Sequence, residues 1–171
     1  PPPRPRSQSR PPARGIAAEF LAPHNQKGDA NEPTFDGEKV TLIPETKAAW
    51  DALAEAGFHA AHHDAEDGGL QLPEVILRTC VAYFSAANIS TSGYSFLTIG
   101  SANLVKSFAS DALRERFLPP MLDGRYSGTM ALTEPGQGSA LGDIRTTARP
   151  TADGSYRVFG QKMFISGGDH E

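Results

Sequence analysis

"FLPPMLDGRYSGTMALTEPGQGSALGD", residues 117–143, holds the point at which the hydrophobic period of the chain changes. Upstream of Asp123–Gly124 apolar residues recur every three to four positions; downstream they alternate, as in "YSGTMALT". The first spacing belongs to helices and the second to strands. The stretch therefore predicts an α+β chain: a helical bundle domain over residues 16–122, then the first strands of an antiparallel β domain over 123–171. Residues 1–15 fall outside both and read as a tail.

The helical side is punctuated clearly. "IAAEFLAPHNQKGD" gives a short helix through Ile16, Phe20 and Leu21 that Pro23 is expected to end, and "PTFDGEKVTLIP" gives a turn at Asp36–Gly37 before a brief apolar run. In "PETKAAWDALAEAG" Trp50, Leu53 and Ala54 fall at i, i+3 and i+4, with Gly57 as the stop. Pro73 opens "EVILRTCVAYFSAANIS", apolar nearly all round, which predicts one helix buried between others. "GYSFLTIGSANLVKSFA" is a further helix. "SDALRERFLPP" starts at Ser110 as N-cap, sets Leu113 and Phe117 one turn apart, and is expected to stop at Pro119 and Pro120.

On the β side, "TTARPTADGSYRVFG" reads as two strands about an Asp153–Gly154 turn and "KMFIS" as a short strand. Three or four strands are too few to close a sheet or cover its edges, so the β domain is expected to be incomplete.

Composition narrows the function classes. Arg4, Arg6, Arg10 and Arg14 are the only charges before Gly15, which leaves 12 of the 16 basic against all 20 acidic side chains for the rest of the chain. An acidic globular part argues against a nucleic-acid surface. The lone Cys80 lies in an apolar run, where a thiol behaves as a small hydrophobe. It permits neither a disulfide framework nor a CxxC metal site, so a reducing, cytoplasmic setting is expected. No apolar run is long enough to span a membrane. The tail "PPPRPRSQSRPPARG" has no large apolar residue and is expected to be disordered; an SH3-type ligand, a targeting peptide and a sequence-boundary artefact are its competing readings.

Gly136, Gly138 and Gly142 raise the question of a phosphate cradle. A dinucleotide fingerprint needs G-x-G-x-x-G between a strand and a helix, whereas this loop is spaced G-x-G-x-x-x-G and leads into another strand. No Gly-Lys-Ser/Thr follows, so a P-loop fails as well. By itself the loop is a structural turn.

The longer string changes that reading. Residues 126–171 resemble the start of the middle β domain of the acyl-CoA dehydrogenase family: "LTEPGQGS" looks like one flavin-contacting segment and "DGSYRVFGQKMFISGG" like the second, at the family's separation. "LAEAGF", "EDGGLQLP" and "FLPPMLDGRYSG" fall at corresponding turns of its helical domain, so the resemblance runs from about Ile16 to Glu171. "FDGEKV" and "SGGDHE" resemble the subgroup that includes 3-methylmercaptopropionyl-CoA dehydrogenases.

The resemblance implies FAD as cofactor and α,β-dehydrogenation of an acyl-CoA thioester, with a carboxylate taking the α-proton while hydride passes to the flavin. It implies that Met130, Leu132 and Thr133 lie along the flavin ring, and that Gly136 and Gly138 allow close backbone approach. Ser139 would sit by the pyrophosphate and the bound acyl-CoA. Phe164 would pack on the ring beside Ile165, and Ser166 would approach its reactive nitrogen. Tyr94 and Leu97, with Phe96, would line the acyl pocket. Each also has a plainer reading, Phe164 as a core aromatic and Thr133 or Ser166 as strand hydroxyls.

Two departures stand out. Ala140 follows the serine where the family usually has an acidic residue. The family's catalytic carboxylate belongs to a C-terminal helical domain not present in this sequence, so the chain is expected to be a fragment inactive alone, with Glu134 structural. An electron-transfer flavoprotein or similar acceptor and a homo-oligomer are expected for the full-length protein. An acyl-CoA oxidase and a non-catalytic helical interaction module are the alternatives. His59, His62 and His63 match no metal-ligand spacing and are expected to be loop and surface residues, with no metal bound.

Overall fold

Gly57 adopts φ +79° directly after helix α3, Pro44–Glu55, and its N–H donates to Ala54 O at 2.9 Å, the left-handed stop expected from the sequence. The computed structural model describes residues 13–170; most of the Pro/Arg tail lies outside the described residues. Within them, α1 (Ala13–Ile16) runs into a wide helical turn at Ala17–Leu21 and a tight one at Ala22–His24, followed by α2 (Asn25–Ala30). Among the described residues helix is thus already present at Ala13, inside the segment assigned to the tail. Pro23 does not end it either, because it occupies the first turn of the tight segment, where its missing N–H leaves no bond unmade.

A small hairpin pairs β1 (Thr34–Phe35) with β2 (Val40–Thr41) around Asp36–Gly37, whose Asp36 carboxylate accepts the N–H groups of Glu38 and Lys39. Then come α3, α4 (Glu74–Ala87), α5 (Ile89–Phe108) and α6 (Asp111–Leu122). α5 is central, packing against α3, α4 and α6. Leu53, Phe58, Leu77 and Phe84 join Ile16 and Leu21 in one core, with Phe58 and Phe84 edge to face at 4.8 Å. Ala102, Leu118 and Leu122 form a second cluster between α5 and α6.

The run "EVILRTCVAYFSAANIS" departs from expectation twice. Asn88 breaks it, with its side chain accepting the Thr91 N–H and donating to Leu21 O, so it caps α5 and moors the N-terminal turns. Nor is α4 buried all round: Leu77 and Phe84 are inside, whereas Val75, Ile76 and Tyr83 face outward because α4 has neighbours along one stripe only. Cys80 lies half-buried at that core, and burial raises its thiol pKa. α6 continues through Pro119 and Pro120 to Leu122. The fixed proline φ suits a helix, and the turn is closed by Asp123 N–H donating to Pro119 O. Ser110 holds the N-cap position of α6 with no side-chain bond to the helix.

Two further strands form the expected hairpin, β3 (Thr147–Pro150) antiparallel to β4 (Tyr156–Phe159) across a turn at Gly154, φ +83°. Residues 126–133 and "KMFIS", expected as strands, form no ladder among the described residues. They share a single backbone hydrogen bond, Met163 N–H to Thr133 O at 2.9 Å, too few to zip a pair, and Phe164 at φ +58° leaves the extended conformation a strand needs. Among the described residues no helix is long and apolar enough to cross a membrane.

Candidate functional site

Glu134 organises the Gly-rich loop. Its N–H and carbonyl exchange hydrogen bonds with Gln137 at 2.8 and 3.0 Å, closing a tight turn around Pro135–Gly136. Its carboxylate, 6% exposed, accepts Arg145 N–H at 2.7 Å, the Thr146 N–H and hydroxyl at 2.9 and 2.6 Å, and the Lys162 ammonium at 2.9 Å. The Thr146 hydroxyl, then Lys162 and the two backbone donors, hold the carboxyl down to about 2. So acidic a group, with both oxygens engaged, holds a loop and does not collect a substrate proton.

Lys162 also donates to Leu132 O at 2.8 Å, and the Thr129 hydroxyl donates to Ser166 O. Together with the Met163–Thr133 bond these contacts fix residues 129–134 and 162–166 side by side and antiparallel. The structure thus brings together Met130, Leu132, Thr133, Phe164, Ile165 and Ser166, which are separated by some thirty positions in sequence.

The apolar members of this pair do not face inward. Met130 is 63% exposed, Phe164 is 80% exposed, and Leu132 is also on the surface. Phe164 stands at φ +58°, a left-handed conformation that a bulky residue seldom adopts, and its ring is thereby held out from the chain. Gly136, Gly138 and Gly142 have open space where a Cβ would stand, so no described residue of this chain demands glycine there. Exposed apolar side chains on two adjoining segments, with the hydroxyl residues Thr133 and Ser166 beside them and side-chain-free backbone nearby, fit a large planar group with a polar edge, which a flavin is. Gly138 and Ser139 lie exposed just beyond the turn.

Tyr94 and Leu97 sit half-buried on α5. The Tyr94 ring meets Gly167 and lies 4.5 Å from the ring of His170. The narrow crevice between α4 and α5 is lined by Phe84, Ser95, Phe96 and Ile99, and includes neither Tyr94 nor Leu97.

His59 and His63 are not surface residues. Both are buried, His59 against Trp50 at 4.4 Å and His63 against His62 at 4.4 Å, and their ring nitrogens find no partner among the described residues. Burial lowers each to about 4. The tight turn Phe58–Ala60 tucks them under α5, a tertiary effect that sequence spacing does not carry. His62 is half-buried and bonded to Asn103 Oδ1 at 2.7 Å. Among the described residues no group of three or more His, Cys, Asp or Glu gathers as a metal site.

The family model for the acyl-CoA dehydrogenase N-terminal domain matches residues 6–125. The chain belongs to the acyl-CoA dehydrogenase family. It is 35% identical over 156 residues to the 3-methylmercaptopropionyl-CoA dehydrogenase of Ruegeria pomeroyi, a match covering 91% of this chain and 26% of that protein. It is 36% identical over 160 residues to a butyryl-CoA dehydrogenase of Syntrophomonas wolfei, with the same coverage. The butyryl-CoA dehydrogenase structure from Megasphaera elsdenii superposes with a TM-score of 0.71 at 26% identity, over 91% of this chain and 39% of that one. The chain therefore spans about a quarter of the length of these curated acyl-CoA dehydrogenases.

Three residues of the site were not legible in the sequence. Lys162 and Thr146 hold Glu134, and Thr98 on α5 holds the start of the first segment. Lys162 is the one with a local signal, a lone cation in the stretch "GQKMFIS".

Proposed function

We propose that this chain is the helical and flavin-facing part of an FAD-dependent acyl-CoA dehydrogenase that desaturates an acyl-CoA thioester between its α and β carbons. The observation that carries the reading is the antiparallel pair 129–134 and 162–166, with Met130, Leu132 and Phe164 exposed along it. FAD, when bound, supplies the hydride acceptor. The chain's own contribution is to present an apolar surface that excludes water, to place Thr133 and Ser166 at the polar edge where charge builds on reduction, and to leave backbone near Gly138 and Ser139 open to a pyrophosphate. Tyr94 and Leu97 are the proposed wall of the acyl site. The α-proton is taken by a carboxylate outside the described residues, since Glu134 is committed to the loop. An electron-transfer flavoprotein is the proposed acceptor; reoxidation by oxygen instead marks an acyl-CoA oxidase.

The test is purification of the full-length protein followed by anaerobic titration with acyl-CoA thioesters of increasing chain length. The expected result is a yellow protein whose visible flavin absorbance bleaches with one or more of them. A protein that purifies without flavin and does not bind added FAD refutes the proposal.

A further inference from the structure

Both flavin-facing segments are seated on one side of one helix. Tyr94, Thr98 and Ser101 follow each other at i, i+4 and i+7 along α5 and so share a face. At the first segment Gly128 N–H donates to Thr98 Oγ1 at 3.0 Å, while the same hydroxyl donates to Tyr94 O at 2.9 Å. Thr98 is fully buried, so this hydroxyl bridges helix and segment out of reach of solvent. The approach is too close for a side chain: a Cβ on Gly128 would stand 2.3 Å from Ser101 Oγ and 2.4 Å from Ser101 Cβ. At the second segment a Cβ on Gly167 would stand 2.8 Å from the Tyr94 ring, and Gly167 is at φ +62°.

Resting on the flavin reading above, we propose that the Tyr94–Thr98–Ser101 stripe is a positioning platform that sets the height and separation of the two segments, with Gly128 and Gly167 as its seats. A helix face is rigid on the scale of a loop. Contacts to both segments at the end where Thr129 meets Ser166 therefore hold the surface of Met130, Leu132 and Phe164 in register before any ligand arrives, which lowers the cost of ordering on binding. Thr98 and Ser101, unlike Tyr94 at the proposed acyl wall, touch the first segment and not the reacting atoms. Their loss is expected in cofactor affinity and turnover, with less effect on the Michaelis constant for acyl-CoA.

The experiment uses the full-length protein and four variants: Thr98→Val, Thr98→Ser, Gly128→Ala, and Gly128→Ala combined with Ser101→Gly. The readouts are the FAD dissociation constant, the visible circular dichroism of bound flavin, and kcat and KM for an acyl-CoA substrate. Thr98→Val removes the bridging hydroxyl at constant shape and is expected to weaken FAD binding about tenfold and lower kcat, whereas Thr98→Ser keeps wild-type affinity. Gly128→Ala is expected to weaken FAD binding at least as much, and Ser101→Gly to rescue it by vacating the clashing atoms. Wild-type FAD affinity in Thr98→Val, or no rescue by Ser101→Gly, overturns the platform. Should Gly128→Ala fail to fold, the Thr98 pair decides alone. A wild-type protein that takes up no FAD overturns the flavin reading itself and the platform with it; flavin-loaded wild type with indifferent variants overturns only the platform.

Discussion

Replacing His59 by Leu tests whether acid sensitivity is built into the helical core. The His59 side chain is fully buried against Trp50, neither ring nitrogen has a partner among the described residues, and its pKa is lowered from 6.5 to about 4 by burial, with Asp123 opposing weakly. The folded state thus refuses a proton that the unfolded chain accepts below 6.5. Stability from this site is full above that pH and is lost as the pH falls towards 4. At pH 5 the difference corresponds to about 1.5 pH units, or about 2 kcal/mol at roughly 1.4 kcal/mol per unit. Leu has similar volume and no nitrogen to desolvate, so His59→Leu should be near neutral at pH 7.5 and should lose about 2 kcal/mol less than wild type on going to pH 5. Urea unfolding at the two pH values measures this directly. A variant that loses as much stability as wild type, or a His59 resonance that titrates near 6.5, refutes the reasoning. His63 adds a second step of the same sign, since burial and then the neighbouring His62 and Lys106 also hold it to about 4.

Three other outcomes follow from the same geometry. Phe164→Ala removes a ring that is 80% exposed, so denaturation should shift by less than about 0.5 kcal/mol while FAD binding to the full-length protein weakens about five- to tenfold; unchanged affinity on FAD titration removes Phe164 from the site. Gly124→Ala puts a Cβ 2.5 Å from that of Ala54 at φ +82° and disturbs the carbonyl that accepts Trp50 Nε1 at 2.8 Å; a loss of about 2–4 kcal/mol in urea unfolding is expected, and a stable variant contradicts the packing. Glu134→Gln leaves Lys162 without its anion and should speed amide exchange at Arg145 and Thr146. In the wild type Glu134's contribution is complete above pH 4.5 and fades only as the pH falls towards 2, so loop protection that drops between pH 7 and 5 argues against its lowered pKa.

The sequence made Gly57, the Asp36–Gly37 and Asp153–Gly154 turns and the helical spacing of Trp50 and Leu53 legible, because turn chemistry and periodicity act over a few residues. It misled at Pro23, Pro119 and Pro120, where proline suits a helical φ and the bonds forgone are few. It also misled at Asn88, whose side chain caps α5 at Thr91 N–H and at the same time donates to a carbonyl 67 positions away. The same limit applied to burial. An apolar run does not say how many sides will find a partner, so α4 was read as enclosed when its Val75 face is exposed, and the His59–His63 cluster was read as exposed when two of its rings are buried.

The α+β order and the end of the helical part at Leu122 were legible in the sequence as local patterns, and the two candidate flavin segments through their resemblance to a family. Which surfaces those segments present was decided only in three dimensions. Glu134 becomes a loop anchor through Thr146 and Lys162, Phe164 turns outward through its own backbone, and the two segments meet because α5 offers a hydroxyl and close-fitting surfaces at Tyr94, Thr98 and Ser101. Those relations join residues that are distant in the chain, and local periodicity carries no information about them.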